Sequence, residues 1–527
     1  MGYSKKYTPL LIGVAMGVGV FLGSKLDFRA SSSRLFSYNP KKEKLNRLID
    51  YIDYEYVDEI NTDSIVEVTV NRILENLDPH SVYIPSEELE GITENMQGDF
   101  IGIGVSYYSY KDTISVINTI KGGPSEKSGI KAGDRILMAG QDTLYGERLV
   151  RDKLADKLKG ELNSQVQLKV YRRGTGIFDV VVKRGRVPIQ SVDAFYMVDE
   201  NVGYIKINRF AETTYKEFKE ALKELQKNNM KELILDLRDN GGGFIAPALK
   251  IADEFLVDET LMMFTKNKKG AIDNSYATDE GDFETGGIYI LLNENSASAS
   301  EILAGALQDN DRGVIVGRRS YGKGLVQREM ALGDGSAVRL TISRYYTPTG
   351  RSIQKPYKNG NEAYFKEYME RYKNGELQHA DSIQVADSLR FRTPGGKIVY
   401  GGGGIIPDVF VSKDTTRVGE TLEYMLRSGY IARYVFEELD KKRAYYNSLS
   451  KENFTKEFVV DNSFVDHFLS YTEKKGVELN LVGYRDQLKK YLRAIIAEQL
   501  FDKNVFEEIL NQDDKMINKV LELSKKE

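Results

Sequence analysis

The spacing of hydrophobic positions changes along the chain and divides it into regions. Residues 41–78 carry apolar positions at helical spacing, for example Leu45, Leu48 and Ile52. From about residue 96 to residue 188, short apolar runs such as SQVQLKVYR and IFDVVVKR alternate with turns that contain glycine. That texture is typical of strands, so we predict a compact β-rich domain over 96–188. A helical segment over 40–95 precedes it.

After residue 188 the pattern becomes an alternation of strands and helices. VGYIKI, ELILDL, GIYILL and GVIVG predict buried strands, and TYKEFKEALKELQ and APALKIADEFL predict helices between them. This order predicts a mainly parallel sheet with helices on its faces, which the strand-like SAVRLTISRYYTP would close. We place this core at 189–412, with a polar insertion at 355–390. A charged helical region is predicted over 413–527.

The N-terminal thirty residues have the pattern of an export signal. Lys5 and Lys6 precede the mostly apolar run YTPLLIGVAMGVGVFLG, and Lys25 follows it. A positive flank before a short apolar segment is typical of a signal peptide or a signal anchor. We therefore expect residues 1–30 to be either a cleaved signal peptide or an N-terminal membrane anchor, and both alternatives stay open. Either one places the rest of the chain in the cell envelope, on the periplasmic side.

The composition excludes several classes of function. A chain of 527 residues with 41% hydrophobic and 29% charged residues is typical of a soluble protein with more than one globular unit. The net charge of −4 gives no electrostatic basis for binding nucleic acid. The absence of cysteine excludes disulfides, zinc–thiolate sites and thiol catalysis.

The stretch SASASEILAGALQD raises the question of a nucleophile. Ser298 and Glu301 have the spacing of a capping box, which is enough to explain the serine as the start of a helix. A serine at a strand-to-helix turn also lies where backbone N–H groups point outward and the helix dipole favours negative charge. The Ala299 N–H could then bind an oxyanion. The G-x-S-x-G motif is absent around these serines, which disfavours an α/β-hydrolase.

A nucleophilic serine needs a base, and histidine is scarce in this chain. The three histidines are His80, His379 and His467. None can be paired with a serine from its spacing, and we expect each to be structural or exposed. The glycine-flanked Lys323 in SYGKGLVQ is a candidate base, because burial lowers the pKa of a lysine. Gln327 could hydrogen-bond the amine without charging it, although a phosphate contact or a plain turn would also explain this pattern.

The stretch LDLRDNGGGF supplies a third element of the candidate site. A predicted strand ends in Arg238, Asp239 and Asn240, and three glycines follow. The glycines are explained equally by a simple turn or by a backbone that approaches a ligand and offers an N–H group. In the second case the turn and Ala299 would form an oxyanion hole with two donors.

These three stretches, together with several others, resemble the motifs of the carboxyl-terminal processing proteases, the tail-specific peptidases of the S41 type. The motifs are SASASEILAGALQD, YGKGLVQ, LDLRDNGGG, YYTPTGRSIQ and GIIPDV, and LDPHSVYIP and GDFIGIGV also fit. The resemblance runs from about residue 40 to residue 412. It implies an α/β (α+β multidomain) fold, in which a ClpP/crotonase-like protease core carries an inserted PDZ domain at 96–188 and helical N- and C-terminal extensions.

The resemblance also implies roles for individual residues. Ser298 would be the nucleophile, Lys323 the general base and Gln327 the residue that orients the lysine. The oxyanion would bind to the Ala299 N–H and to that of Gly242 or Gly243, and the choice between the two glycines stays open. The amides that receive a substrate carboxylate in the PDZ domain would be those of Gly102, Ile103, Gly104 and Val105.

The function implied is that of a serine endopeptidase that cuts polypeptides near their C-termini. The expected partners are polypeptides with a free C-terminus and, through residues 1–30, a membrane; no nucleic acid, metal or cofactor is expected. Two alternatives are a non-catalytic PDZ scaffold and a crotonase-like acyl-CoA enzyme. The insertion and the C-terminal region could regulate access, form a homodimer contact or dock a partner.

Overall fold

The computed structural model describes residues 40–110, 113–146 and 154–526. The predicted signal peptide or membrane anchor at 1–30 lies outside these described residues. Within them, no helix combines the length and the apolar character that crossing a membrane requires. The chain divides into two units, Met1–Ile73 and Leu74–Glu527.

The described part of the first unit consists of one helix and most of a second. Helix α1 spans Pro40–Glu55, and α2 spans Thr62–Glu75. The Thr62 hydroxyl donates to Asp53 Oδ1 at 2.7 Å and so ties the start of α2 to α1. The predicted helical periodicity of 41–78 is therefore present as two helices.

The segment after α2 leads into the β-rich region. Its elements are β1 Val82–Ile84, α3 Ser86–Gln97, β2 Asp99–Gly102, β3 Val105–Tyr110, β4 Thr113–Thr119, α4 Pro124–Lys127, β5 Arg135–Ala139, β6 Asp142–Thr143, α5 Leu154–Leu158, β7 Gln165–Arg172, β8 Gly176–Lys183 and β9 Gly185–Pro188. An antiparallel sheet forms in the order β3-β4-β5-β7-β8, with β6 beside β5. Val166, Leu168 and Val170 alternate with exposed residues along β7 and pack into a separate apolar core.

The next region is built on a six-stranded sheet. Its elements are β10 Val192–Met197, β11 Val202–Ile207, α6 Thr214–Lys227, β12 Glu232–Asp236, α7 Ile245–Asp253, β13 Leu261–Asn267, β14 Ile272–Tyr276, β15 Gly287–Leu292, α8 Ala299–Asp309 and β16 Val314–Gly317. The sheet order is β10-β11-β12-β15-β16, and all pairs except β10–β11 are parallel. Strands β12 and β15 are buried almost throughout because both of their faces are covered.

The strand that closes this sheet differs from the prediction. The elements that follow are β17 Leu325–Ala331, β18 Ala337–Tyr346, α9 Asn361–Lys373, β19 Arg390–Arg392, β20 Ile398–Tyr400 and β21 Val409–Phe410. Strand β21 lies on the open side of β16, whereas β18 belongs to a second, antiparallel sheet with β1, β13 and β17. The expectation that SAVRLTISRYYTP closes the parallel sheet was therefore wrong. A five-residue turn joins β17 to β18, and so short a connection can only make antiparallel neighbours.

The C-terminal region is helical, as predicted. Its helices are α10 Arg417–Arg427, α11 Tyr430–Lys441, α12 Arg443–Asn447, α13 Lys451–Glu457, α14 Asn462–Glu473, α15 Arg485–Leu500, α16 Lys503–Asn511 and α17 Lys515–Ser524. Most of them share one apolar core. Helix α17 instead packs against the main sheet: Met516, Ile517 and Val520 form one buried cluster with Tyr204 and Ile234. Helices α6, α7 and α8 contribute to the cluster on the other side of the sheet.

Candidate active site

Ser298 lies at the turn between β15 and α8, directly before the first residue of the helix. Its backbone has φ 57° and ψ −113°, a conformation that a residue with a side chain rarely adopts. Such strain persists only where the surrounding contacts fix the backbone. One of these contacts is the Glu301 carboxylate, which accepts the Ser298 N–H at 2.9 Å, as the capping-box pattern predicts.

The three serines of the stretch differ in what their side chains do. The Ser296 hydroxyl donates to the Leu237 carbonyl oxygen at 2.8 Å, and the Ser300 hydroxyl donates to the Asn240 carbonyl oxygen at 2.9 Å. Both residues are fully buried. Ser298 is partly exposed and lines a cleft of about 690 Å³. Two serines therefore brace the turn, and the third faces the space in which a substrate could bind.

Lys323 lines the same cleft from the loop before β17. Its Nζ donates to Gln327 Oε1 at 2.8 Å, as the sequence suggested. Burial, together with the positive charge of Arg339, lowers the pKa of Lys323, although Glu301 and Asp78 act in the opposite direction. Both side chains line the cleft, but among the described residues no hydrogen bond joins Lys323 Nζ to Ser298 Oγ.

Glu301 connects the serine turn to the lysine loop, a role that the sequence did not indicate. Besides the Ser298 N–H, its carboxylate accepts the Lys323 N–H at 2.9 Å, the Gly322 N–H at 2.7 Å and the Ser320 hydroxyl at 2.5 Å. The side chain is fully buried, and burial raises the pKa of Glu301 against the effect of these hydrogen bonds. One carboxylate thus sets the spacing of both candidate catalytic residues.

His80 is a second residue whose position the sequence did not reveal. Its backbone carbonyl accepts a hydrogen bond from Gln327 Nε2, so it fixes the amide that in turn holds Lys323. The imidazole Nε2 and the Tyr364 hydroxyl are 2.7 Å apart, and burial and Lys323 lower the pKa of His80 to about 4. The expectation that His80 is structural holds for its ring, but its carbonyl belongs to the site. The one available signal was Asp78, whose carboxylate accepts the His80 N–H and shapes the loop.

The structure distinguishes the two glycines between which the sequence could not choose. The Gly242 N–H donates to Asn240 Oδ1 at 2.9 Å and is therefore occupied. Within the described part of the chain, the N–H groups of Gly243 and Ala299 have no acceptor. Gly242 is needed for another reason: it has φ 102°, and a Cβ there would lie 2.7 Å from the Ser298 Cβ. The geometry thus favours Gly243, with Ala299, as the oxyanion donor.

The remaining walls of the cleft are partly apolar and partly charged. The apolar part includes Ile92 and Met96 of α3, together with Phe244 and Val326, whereas the charged part consists of Glu212, Glu329 and Arg339. The Glu212 N–H donates to the Met96 carbonyl oxygen at 2.9 Å and thereby holds the end of α3 beside the core. A substrate in this cleft would therefore contact both apolar and charged side chains.

The predicted carboxylate loop of the β-rich domain lies between β2 and β3 and does not line the Ser298 cleft. Gly102 ends β2, Val105 begins β3, and Gly104 has φ 72°. The carbonyl oxygens of Ile103 and Gly104 accept hydrogen bonds from Ser125 and Ile120. The N–H groups of Ile103 and Gly104 have no acceptor among the residues that the structure describes, so these two amides are available to an anion.

Comparison with known proteins assigns the regions. The model of peptidase family S41 matches residues 201–360, a PDZ domain model matches 101–177, and a family of unknown function, DUF8443, matches 421–502. The carboxy-terminal-processing protease of Bartonella bacilliformis is 32% identical over 345 residues, which cover 64% of this chain and 78% of that protein. The carboxy-terminal processing protease CtpA of Bacillus subtilis is 32% identical over 316 residues, which cover 60% of this chain and 67% of that protein.

Among solved structures, a photosystem II D1 C-terminal processing protease is 25% identical to this chain. The match covers 70% of this chain and 86% of that protease. The TM-score of this match is 0.36.

These matches first define the class: the chain is a serine peptidase with a PDZ domain. More particularly, it belongs to the carboxy-terminal processing proteases of peptidase family S41, since the Bartonella relative is matched over more than two thirds of its length. The predicted family, fold class and type of enzyme are confirmed. A non-catalytic PDZ scaffold and an acyl-CoA enzyme are not favoured.

Proposed function

We propose that this peptidase cleaves polypeptides near their C-termini, with Ser298 as nucleophile and Lys323 as general base. The observation that carries the proposal is the environment of Lys323. Its amine is largely removed from water and is bonded to the neutral amide of Gln327 instead of a carboxylate. A carboxylate partner would keep the amine protonated, whereas this environment favours the neutral form that a base requires.

The reaction begins when the Ser298 Oγ–H proton moves to the Lys323 Nζ lone pair as Oγ attacks the carbonyl carbon of the substrate. The negative oxygen of the tetrahedral intermediate is bound by the Gly243 and Ala299 N–H groups. Lys323 then returns the proton to the departing amine, which leaves an acyl-enzyme on Ser298. A water molecule hydrolyses this ester by the same steps, again with Lys323 as base. The transfer requires Lys323 Nζ to come within hydrogen-bond reach of Ser298 Oγ when substrate binds.

The PDZ domain supports the choice of substrate. PDZ domains bind a peptide by adding it as a strand to a sheet edge and by holding its carboxylate on backbone amides. We assign that carboxylate to the Ile103 and Gly104 N–H groups, which have no acceptor among the described residues. A polypeptide whose apolar C-terminus is held there would present an upstream bond to the Ser298 cleft.

We also propose that the enzyme works in the cell envelope, on the periplasmic side. The support is the positive flank at Lys5 and Lys6 and the apolar run that follows, read as a signal peptide or membrane anchor. A homodimer is proposed from α1, which leaves large apolar side chains at Leu48, Tyr51 and Tyr54 exposed. Cell fractionation and the mass of the purified protein in solution test these two proposals.

The proposed reaction is tested by incubating the purified protein with an unstructured polypeptide and mapping the products by mass spectrometry. The Ser298→Ala and Lys323→Ala variants are expected to lose cleavage by several orders of magnitude. Ser448→Ala is the control, because it removes an exposed serine hydroxyl that donates to the Tyr445 carbonyl oxygen and lies outside the Ser298 cleft. An amidated C-terminus on the substrate should slow cleavage. Equal cleavage by the wild type and both catalytic variants would contradict the proposal.

A further inference from the structure

The turn that carries the oxyanion amides is held by an unusual residue, Asp239. Its φ is 61°, so a residue with a side chain occupies the left-handed region four residues before Gly243. Its carboxylate accepts from Asn293 Nδ2 at 2.9 Å and from Asn295 Nδ2 at 2.8 Å, and its own N–H donates to Asn293 Oδ1 at 3.0 Å. Asp239 therefore joins the oxyanion turn to the turn that leads to Ser298.

The next residue passes this constraint on to the reacting groups. Asn240 Oδ1 accepts the Gly242 N–H, and the Asn240 carbonyl oxygen accepts the Ala297 N–H at 3.0 Å and the Ser300 hydroxyl at 2.9 Å. A shift of the backbone at Asp239 would consequently displace the oxyanion amide and the nucleophile together.

The remaining contact of Asp239 comes from outside the S41-matched segment. Arg427, the last residue of α10, places Nη2 2.7 Å from Asp239 Oδ2. The other partner of this guanidinium is Glu423 on the same helix, at 2.9 Å. Burial alone would raise the pKa of Asp239, but the hydrogen bond and charge of Arg427 and the two asparagine amides lower it, so the carboxylate stays ionised. Arg427 falls within the stretch that matches a family of unknown function.

We propose that Arg427 is a positioning residue for the peptidase reaction. From the C-terminal helical region it fixes Asp239 in its strained conformation, and through Asn240 it holds the Gly243 N–H in register with Ser298. This role rests on the proposed Ser298–Lys323 reaction, and it gives the C-terminal region a direct part in that reaction. Arg427 itself does not line the Ser298 cleft.

The test compares steady-state kinetics of the full-length wild type with those of Arg427→Gln and Arg427→Lys. The substrate is a short fluorogenic peptide with an amidated C-terminus, so that recognition by the PDZ domain does not limit the rate. Arg427→Gln is expected to lower kcat about tenfold while KM changes less than about twofold, because the transition state loses a positioned donor and substrate contacts are intact. Arg427→Lys keeps the charge and should recover part of the loss.

Two controls separate this effect from a general loss of structure. Arg485→Gln removes an exposed ion pair with Asp466 in the same helical region and should behave as the wild type in kinetics and in thermal unfolding. Asp239→Asn tests whether Arg427 acts through Asp239. If it does, a variant that carries both Asp239→Asn and Arg427→Gln should be no slower than the slower of the two single variants.

The outcomes are distinguishable from failure of the proposed function. If Ser298→Ala retains activity, the Ser-Lys reaction is wrong and Arg427 loses its proposed role with it. If Ser298→Ala is inactive but Arg427→Gln matches the Arg485→Gln control, only the positioning role is overturned. A loss in Arg427→Gln that appears in KM alone, or fully additive effects of the Asp239 and Arg427 variants, would also overturn it.

Discussion

At the scale of single residues, the geometry of the candidate site depends on the hydrogen-bond partners of each side chain. Ser298, Lys323 and Gln327 could be proposed from the sequence because their motifs resemble those of a known family. The sequence could not choose between Gly242 and Gly243, since the choice depends on where the Asn240 side chain points. His80 was missed because its carbonyl meets Gln327 across 247 positions of sequence. Contacts over that separation leave no periodic signal.

The electrostatics of Lys323 give a prediction at this scale. Burial and Arg339 lower the pKa of Lys323. Because a base must be neutral to act, kcat/KM should rise with pH as Lys323 loses its proton, and this rising limb of the profile follows the pKa of Lys323. Replacement of Arg339 by glutamine removes a positive neighbour and should move the limb to higher pH, which lowers the rate at neutral pH. The measurement is a pH profile of kcat/KM for both proteins. A limb that stays in place, or moves to lower pH, would contradict the account.

At the scale of elements, the parallel sheet could be predicted and its last strand could not. Continuous apolar runs marked β12 and β15 as strands covered on both faces. The pattern of β18 is equally strand-like, and only the short turn after β17 indicates that it pairs in another sheet. The charged helical region at 413–527 was likewise predicted, but a helical pattern does not show the surface on which α17 packs.

The packing of α17 on the sheet gives the second prediction. Ile517 is buried with Val520 against the outer face of the sheet. Ile517→Ala should lower the free energy of unfolding by about 2–5 kcal/mol, because it leaves a cavity in a closed cluster. Asn518→Ala on the same helix changes an exposed side chain and should alter stability by less than about 0.5 kcal/mol. Chemical denaturation of both variants measures the difference, and equal stabilities would refute this packing.

At the scale of the whole second unit, the C-terminal region connects the PDZ domain with the peptidase core. Arg135 of β5 forms an ion pair with Asp440 of α11 at 2.7 Å, and the Tyr108 and Phe436 rings meet edge to face at 5.8 Å. On the other side, Asp514 at the start of α17 pairs at 2.6 Å with Arg238, which directly precedes Asp239. The sequence suggested an extension that could regulate access or dock a partner, and the structure places it against both functional parts.

The ion pair between Arg135 and Asp440 predicts that a substitution at Asp440 loosens the backbone only near the PDZ domain. Asp440→Asn removes the charge that faces Arg135 and should weaken the contact by about 0.5–1 kcal/mol. Backbone amides of β5 and α11 should then exchange hydrogen about two- to fivefold faster, whereas those of β12 and β15 should not change. Hydrogen–deuterium exchange with mass spectrometry resolves these segments. Unchanged exchange in β5 and α11 would show that the ion pair does not hold the PDZ domain.

Covalent labelling shows whether Lys323 activates Ser298. The full-length protein is treated with a fluorophosphonate, and the adduct is located and its rate of formation measured by mass spectrometry across pH. We expect one adduct on Ser298, formed faster as pH rises, and a rate in Lys323→Ala that is lower by at least about a hundredfold. An adduct on another residue, or labelling of Lys323→Ala at the wild-type rate, would show that Lys323 is not the base.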